Sequence, residues 1–184
     1  LLKTDLKFES TPTDKAPDPE LGTKRIPVDR YTEQKYISLE DERLWSKSWL
    51  LAGVESDVRE PGSYFVFENL KESFLITRAV DGQLRAFYNV CQHRGNRLKG
   101  IGCGHANQIT CGFHKWSWNL DGSLRYVPEA GDFPQGTPQS ELGLPSVRCD
   151  TWGGFVWISM DPDIEPLEKY LDVIPKHLDP YEFE

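Results

Sequence analysis

Two short motifs, Cys91-Gln92-His93 and Cys111-Gly112-Phe113-His114, lie near the middle of this 184-residue chain and are separated by seventeen residues. Each motif pairs one thiol with one imidazole. The one-residue and two-residue spacings keep each pair within a tight loop, and the gap between the motifs is long enough for two strands to leave the loops and return. The pattern predicts two opposed loops that present two thiolates and two imidazoles to a metal centre.

Two kinds of metal centre use this donor set. A tetrahedral zinc site takes four Cys or His ligands, but its usual spacing combines C-x2-4-C with H-x3-5-H. A Rieske [2Fe-2S] cluster takes two thiolates on one iron and two imidazoles on the other, and C-x-H paired with C-x2-H is rare outside that class. We therefore predict that Cys91 and Cys111 bind one iron. His93 and His114 are predicted to bind the other, with a zinc site as the alternative.

A second C-x-H pattern, Cys103-Gly104-His105, lies between the two motifs. Only five residues separate it from Cys111. Because this is too little chain to form two opposed loops, we interpret the pattern as accidental. Two of the four cysteines are assigned to the cluster, and Cys103 and Cys149 are predicted to be free thiols in a reducing cytoplasm.

Composition and charge limit the class of protein. Hydrophobic residues make up 38% of the chain, which is enough for one core. No apolar run approaches the roughly eighteen residues of a transmembrane helix, so no membrane is expected and cytoplasmic localisation is predicted. The net charge of −8 disfavours a nucleic acid as partner.

Basic residues are concentrated around the two motifs. Residues 82–120 contain no Asp or Glu and carry a formal charge of +5, which leaves −13 for the rest of the chain. Such a charge would steer an acidic electron donor, and Arg97 and Lys99 are the predicted docking residues. The alternative is that these are scattered charges on a solvated surface. The basic residues are Arg85, Arg94, Arg97, Lys99 and Lys115.

Short segments rich in β-branched and aromatic residues recur from residue 50 onward, which is typical of strands. Hairpin turns are predicted at Asp81-Gly82 and Asp121-Gly122, and residues 128–145 are predicted to form a long irregular loop of a kind that is commonly functional. The predicted strands are residues 50–54, 64–67, 74–79, 84–90, 108–110, 115–119, 123–127 and 155–159.

Two helices are predicted beside the strands. Ser38 and Asp41 form a capping box that opens a helix ending near residue 48. Asp163 is predicted to cap a second short helix that ends before Pro175. The face of the first helix that is expected to be buried carries Leu44, Trp45 and Trp49.

The chain is predicted to divide into four parts. Residues 1–30 contain several prolines and no apolar periodicity, which predicts a flexible tail. Residues 31–54 are predicted to form the N-terminal helix and lead-in, residues 55–160 the cluster domain, and residues 161–184 a linker.

Stretches beyond the two motifs are similar to those of one family. Residues 31–160 resemble the N-terminal part of the α subunit of a Rieske non-haem iron aromatic-ring-hydroxylating oxygenase. The resemblance implies an all-β fold: a Rieske-type antiparallel β-sandwich with a small cluster-binding subdomain at one tip and short flanking helices. The matching stretches are Glu60-Pro61-Gly62-Ser63-Tyr64, Ala86-Phe87-Tyr88-Asn89-Val90, Cys91-Gln92-His93-Arg94-Gly95, Cys111-Gly112-Phe113-His114-Lys115-Trp116, Leu120-Asp121-Gly122 and Gly154-Phe155-Val156.

The resemblance also bears on residues next to the ligands. We predict that the cluster is surrounded by Arg94, Gly95, Lys115 and Trp116. Trp116 is placed there because it follows the second ligand loop, and the alternative is an ordinary core Trp. Lys115 departs from the family, which usually has Gly after the second His; the departure concerns the conformation of the loop and leaves the ligands unchanged.

The chain differs from the Rieske subunits of respiratory bc complexes. Those proteins carry a disulfide between the two loops, at the positions of Asn96 and Phe113 here. They also have a Ser that donates a hydrogen bond to cluster sulfur, where this chain has Trp116. The chain is therefore similar to the ferredoxin and oxygenase branch, and a potential toward the low end of the range of about −150 to +300 mV is predicted.

The resemblance implies an electron relay. In the parent enzyme a ferredoxin or reductase reduces the cluster, and the electron passes through His93 and His114 to a mononuclear Fe(II) in another α subunit of a trimer, with or without β subunits. That iron needs two His and a carboxylate. Only His105 and His177 remain here, so we expect the iron in a catalytic domain absent from this chain, which is interpreted as a fragment. The alternative is a stand-alone Rieske ferredoxin-like electron carrier.

Overall fold

Residues 25–137, 141–178 and 180–181 are described by the computed structural model. Residues Leu1–Tyr36 and Ile37–Glu184 form two separate units. The described part of the first unit contains helix α1 (Asp29–Thr32) and the start of helix α2 (Gln34–Arg43). Within it, the Tyr36 hydroxyl donates to Asp29 Oδ2 at 3.2 Å.

Strands dominate the second unit. Seven of them form an antiparallel sheet in the order β1-β10-β9-β4-β3-β2-β5, and three form a smaller antiparallel sheet in the order β6-β7-β8. The predicted all-β fold with two antiparallel sheets and short flanking helices is confirmed. In chain order the strands are β1 (Leu50–Val54), β2 (Ser63–Asn69), β3 (Glu72–Arg78), β4 (Leu84–Tyr88), β5 (Gly102–His105), β6 (Ile109–Thr110), β7 (Ser117–Trp118), β8 (Leu124–Tyr126), β9 (Ser146–Trp152) and β10 (Phe155–Ser159).

Alternation along β3 shows how the larger sheet divides the core. Leu75 packs in the cluster that contains Trp118 of the smaller sheet, whereas Phe74 and Ile76 belong to a second cluster. Successive side chains of a strand point to opposite faces, so the first cluster fills the space between the two sheets. The Thr77 hydroxyl also donates to the Leu120 carbonyl at 2.7 Å and ties the sheets together.

Both predicted hairpin turns are confirmed. Gly82 lies between β3 and β4 with a φ of +79°, and Gly122 lies between β7 and β8 with a φ of +85°. Glycine adopts this left-handed conformation without the steric cost that other residues bear. At Gly122 a side chain would also collide with the ring of Phe87. The second hairpin therefore needs glycine for both its conformation and its packing.

Two short helices follow the last strand, α3 (Leu167–Leu171) and α4 (Ile174–Leu178). Leu167 and Leu171 are buried with Trp49 in a third cluster. The Trp49 Nε1–H donates to the Glu165 carbonyl at 2.9 Å. None of the described helices is long and apolar enough to cross a lipid bilayer.

Strand prediction was exact for β1 and β10. The predicted strands 84–90, 108–110, 115–119 and 123–127 are longer than the observed strands, whereas β2 and β3 begin earlier than predicted. The sequence prediction missed β5 and β9 entirely. β5 reads Gly102-Cys103-Gly104-His105, and two glycines give it no strand propensity of its own. It is held as a strand by pairing with β2, where Phe65 lies opposite Cys103. β9 begins directly after the predicted irregular loop of residues 128–145, in a segment for which no element was predicted.

The helix predictions were wrong at their boundaries. α2 begins at Gln34, so Ser38 lies inside it rather than at its N-cap, and it ends at Arg43 before a 3₁₀ turn at Trp45–Lys47. Good helix formers upstream of Ser38 extend the helix by one turn. Asp163 caps no helix, since α3 follows Pro166 without a side-chain cap. Pro175 lies in the first turn of α4, where a missing N–H costs little.

The predicted buried face of the first helix is only partly correct. Leu44 is 46% exposed. Trp45 packs against the second cluster and Trp49 lies in the third. Because the helix ends at Arg43, these three residues do not share one helical face. Most of the predicted tail 1–30 lies outside the described residues, and the boundaries at residues 31–54, 55–160 and 161–184 remain predictions.

Candidate metal centre

The first candidate loop, residues 91–96, follows β4 and closes on itself. Val90 and Arg97 form an isolated antiparallel bridge at its base. The Cys91 N–H donates to the Asn96 carbonyl at 2.8 Å, and the Gly95 N–H donates to the Cys91 carbonyl at 2.9 Å. Gly95 has a φ of +70°, which glycine adopts without steric cost. These backbone bonds set the position of Cys91.

The second candidate loop, residues 111–116, repeats this geometry twenty residues later. It connects β6 to β7, where Thr110 pairs with Ser117. The Cys111 N–H donates to the Trp116 carbonyl at 2.8 Å, and the Lys115 N–H donates to the Cys111 carbonyl at 3.2 Å. Each position of the first loop therefore has a counterpart in the second, and the two loops hold their cysteines in the same way.

Lys115 is the counterpart of Gly95 and has a φ of +63°. A non-glycine residue in this region carries backbone strain of about 1–3 kcal/mol. The Lys115 Nζ donates to the Gly112 carbonyl at 3.1 Å. The departure from the usual Gly therefore keeps the left-handed conformation of the loop and adds a strained residue to it.

Both candidate thiols are buried and face each other. Cys91 is 3% exposed and Cys111 is 1% exposed, and both belong to the hydrophobic cluster between the sheets. Each thiol shifts the pKa of the other: Cys111 raises the pKa of Cys91, and Cys91 lowers the pKa of Cys111. The side-chain amide of Asn96 donates to Cys111 Sγ at 3.6 Å. The burial excludes bulk water from both sulfur atoms.

Backbone N–H groups converge on each sulfur atom. Both sulfurs accept hydrogen bonds from the N–H groups two and three residues further along the chain. Burial nevertheless raises the pKa of the Cys91 thiol. Burial also acts to raise the pKa of Cys111, but its N–H donors outweigh this effect and the pKa lies below its ordinary value. The donating groups belong to His93, Arg94, Phe113 and His114.

The two candidate imidazoles lie together at the surface of the site. The ring centroids of His93 and His114 are 4.8 Å apart, with an angle of 69° between the planes. His93 stacks on Trp116, and Phe113 contacts His114 with centroids 3.8 Å apart. Desolvation, followed by the positive charges of His114 and Arg94, lowers the pKa of His93. A neutral imidazole is the form that binds a metal.

The donor set therefore divides into a thiol pair and an imidazole pair. No group of three or more His, Cys, Asp or Glu side chains in the described ranges is arranged to hold a single metal ion. A Rieske cluster needs only two protein ligands on each iron, thiolates on one and imidazoles on the other. The residues present fit that cluster.

The predicted docking residues have partners within the chain. Arg97 Nη1 lies 2.6 Å from Glu68 Oε1. Lys99 Nζ lies 4.9 Å from the centroid of the Tyr64 ring. Arg85 is likewise paired with an acidic residue of its own hairpin turn. Acidic groups outside the basic segment thus neutralise part of its charge.

The second C-x-H pattern lies on β5, the edge strand of the larger sheet, and in neither loop. Cys103 is exposed, and His105 Nε2 lies 3.0 Å from the Pro61 carbonyl oxygen. Cys149 lies on β9, where burial raises the pKa of its thiol to about 12. All four cysteines fall in the described ranges and none forms a disulfide.

A groove of about 580 Å³ lies beside the two imidazoles, and the sequence prediction gave it no role. The Phe133 ring meets Trp116 edge-on with centroids 6.2 Å apart, which brings the irregular loop against the site. The only signal in the sequence was the length of that loop. Besides His93, His114 and Trp116, the groove is lined by Lys115, Tyr126, Pro128, Glu129, Asp132 and Phe133.

Known proteins share this architecture. Residues 48–146 match the model of the Rieske [2Fe-2S] domain. The glycine betaine monooxygenase oxygenase subunit of Pseudomonas aeruginosa is 30% identical over 161 residues, which cover 86% of this chain and 37% of the relative. The chlorobenzene dioxygenase subunit alpha of a Cupriavidus species is 33% identical over 150 residues, which cover 81% and 33%.

Solved structures show the same similarity. The apo form of a quaternary ammonium Rieske monooxygenase has a TM-score of 0.79 to this chain at 33% sequence identity. The match covers 84% of this chain and 45% of that one. The chain thus spans less than half the length of each of these proteins.

Proposed function

The chain belongs to the Rieske [2Fe-2S] domain family, and from this premise we propose that it relays single electrons within an oxygenase. The observation that carries the proposal is the pairing of donors, with two buried thiols facing each other and two imidazoles together at the surface. When bound in such a site, a [2Fe-2S] cluster supplies a one-electron carrier. The similarity to oxygenase subunits supports an α subunit as the parent protein.

The proposed ligands are Cys91 and Cys111 on one iron and His93 and His114 on the other. The equivalent loops support this assignment, since each delivers one buried sulfur held by two backbone N–H groups. Such donors stabilise the negative charge of a thiolate. The alternative is a zinc site, and metal analysis distinguishes it from a [2Fe-2S] cluster.

The two ends of the proposed site differ in their exposure to solvent. The thiols lie in the core, and the imidazoles reach the surface beside the groove. A partner that contacts this face contacts the imidazoles directly. Three exposed aromatic rings lie near them, a composition that suits the core of a protein interface. These rings are Phe113, Tyr126 and Phe133, which are 62%, 57% and 39% exposed.

We propose that the electron acceptor docks on the surface that carries the two imidazoles. The family resemblance makes the acceptor a mononuclear Fe(II) in another α subunit of a trimer, with or without β subunits. The electron donor is a ferredoxin or a reductase, which we propose docks through Arg97 and Lys99. The ion pair of Arg97 with Glu68 reduces its contribution, so Lys99 carries more of the proposed attraction.

For the parent protein we propose a class of enzyme and no substrate. The relatives are named for glycine betaine and for chlorobenzene, which are chemically unlike. Both names describe an oxygenase component, so we propose an oxygenase without choosing a substrate. A stand-alone ferredoxin is the weaker proposal because the relatives reported above are oxygenase components.

Metal analysis and EPR spectroscopy test the proposed function. Protein purified without oxygen is expected to contain two irons and two acid-labile sulfides per chain. Its reduced form is expected to give a rhombic signal whose average g value lies below that of a ferredoxin with four Cys ligands. Stoichiometric zinc in a colourless protein, or a cluster with the signal of four Cys ligands, would overturn the proposal.

A further inference from the structure

Asn96 lies outside the proposed ligand set, yet its side chain reaches a candidate ligand sulfur of the other loop. Its amide Nδ2 donates to Cys111 Sγ at 3.6 Å and to the Arg97 carbonyl at 2.8 Å. The Arg97 carbonyl can only accept a hydrogen bond, so it fixes the orientation of the amide. The second hydrogen of the NH2 group is then directed at the sulfur.

The two loops have equivalent geometry, and the contact of Asn96 with the opposite loop has a counterpart at Trp116. Asn96 and Trp116 are both the fifth residue after the cysteine of their loop, and their carbonyls both accept the cysteine N–H. Each side chain reaches the opposite loop: Asn96 contacts Cys111, and Trp116 stacks on His93. The same position in each loop thus contacts a ligand that the other loop delivers.

We propose that Asn96 is a positioning residue that raises the reduction potential of the cluster through its hydrogen bond to Cys111. A hydrogen bond to sulfur stabilises the more negative, reduced state and so raises the potential. Asn96 thereby offsets part of the low potential that the sequence prediction inferred from the absence of a Ser at Trp116. The inference rests on the proposed ligand set.

Potentiometric titration of the cluster-loaded protein tests the proposal. Asn96→Leu keeps the approximate volume and removes the donor. We expect its reduction equilibrium to shift about threefold toward the oxidised state, which is about 28 mV at 59 mV per tenfold. Gln92→Leu is the matched control, because the Gln92 amide lies in the same loop but donates to the Val90 carbonyl at 3.2 Å. Its potential is expected to equal that of the wild type.

A second variant keeps the test decisive if Asn96→Leu fails to assemble. Asn96→Asp is isosteric, cannot donate when ionised and adds negative charge, so its potential is expected to fall further than that of Asn96→Leu. An unchanged potential in either loaded variant, or an equal fall in Gln92→Leu, overturns the role of Asn96. A wild-type protein without a [2Fe-2S] cluster contradicts the proposed function instead, so the two failures are distinguishable.

Discussion

The indole of Trp116 lies parallel to the imidazole of His93, with centroids 4.8 Å apart and planes 2° apart. Trp116 is 5% exposed and contacts the rings of Trp118 and Phe133. His93 itself is exposed. A rigid, buried aromatic ring therefore fixes the plane of a surface imidazole.

The first prediction follows from that stacking. Trp116→Leu is expected to lower the free energy of unfolding by about 3 kcal/mol, because a large buried side chain is truncated. It is also expected to speed the loss of the cluster several-fold, whereas Trp116→Phe, which keeps a flat ring, is expected to retain most of the wild-type lifetime. Urea denaturation and the decay of cluster absorbance measure the two effects.

Trp45→Leu is the control for that prediction. Trp45 is half-buried against the second core cluster and lies outside both loops. Its truncation is expected to reduce stability without accelerating cluster loss under native conditions. If both variants lost the cluster equally fast, the effect of Trp116 would be one of general stability and the stacking argument would fail.

The second prediction separates the proposed ligands from the other C-x-H pattern. Cys91→Ser and Cys111→Ser are expected to lose the cluster, because a hydroxyl is a poor ligand for iron in place of a thiolate. Cys103→Ser and His105→Ala are expected to keep the visible spectrum, since both residues lie on β5. Visible absorbance and iron content report the result, and bleaching by Cys103→Ser would refute the ligand assignment.

The sequence predicted those elements whose signal is local. β1 and β10 carry runs of apolar and β-branched residues, and Gly82 and Gly122 occupy turns that need a left-handed φ. β5 had no local signal, because two glycines become a strand only by pairing with β2. Strands that form only by pairing with another strand are therefore missed when structure is predicted from sequence.

The same distinction applies to the candidate site. The spacing of Cys and His marked the two loops, since metal ligands must be close in sequence when they share a short loop. The sequence prediction compared Asn96 only with a disulfide cysteine and did not foresee its contact with Cys111. The sequence prediction also counted a formal charge of +5 for residues 82–120. It did not foresee that Arg97 pairs with Glu68, because Glu68 lies on β2 and comes close to Arg97 only in the folded chain.

The third prediction concerns electron-donor docking. If basic residues steer an acidic donor, the association rate falls as salt rises. Lys99→Gln is expected to slow association by about twofold to fivefold at low salt with little change in potential. Arg97→Gln is expected to have a smaller effect because Glu68 already neutralises Arg97. Stopped-flow reduction by an acidic ferredoxin measures both rates.

Arg85→Gln serves as the control for docking. Arg85 belongs to the same basic segment but is bound to Asp81 by an ion pair 2.7 Å long. Its neutralisation is expected to leave the association rate close to that of the wild type. A rate that is independent of salt, or an equal effect at all three positions, would refute the steering of the donor by these charges.

The last prediction tests the equivalence of the two loops. Gly95 and Lys115 occupy the same position, with φ values of +70° and +63°, and each N–H binds the carbonyl of its loop cysteine. A Cβ at Gly95 would meet no atom within 4 Å, so Gly95→Ala is penalised only through its backbone. We expect it to lower the free energy of unfolding by about 1 kcal/mol. The reverse change, Lys115→Gly, is expected to raise it by up to about 1 kcal/mol, because relief of strain exceeds the entropy that glycine adds to the unfolded chain.

Gly100→Ala is the control for this prediction. Urea denaturation of the wild type and the three variants measures their free energies of unfolding. Gly100 is exposed, its φ lies outside the left-handed range, and a Cβ there also meets no atom within 4 Å. The added methyl group is therefore expected to be neutral or slightly stabilising. The cluster spectrum is expected to stay the same in all three variants, since none removes a proposed ligand. If Gly95→Ala were as stable as Gly100→Ala, or if Lys115→Gly were destabilised, the two loops would not share the backbone strain that their common geometry requires.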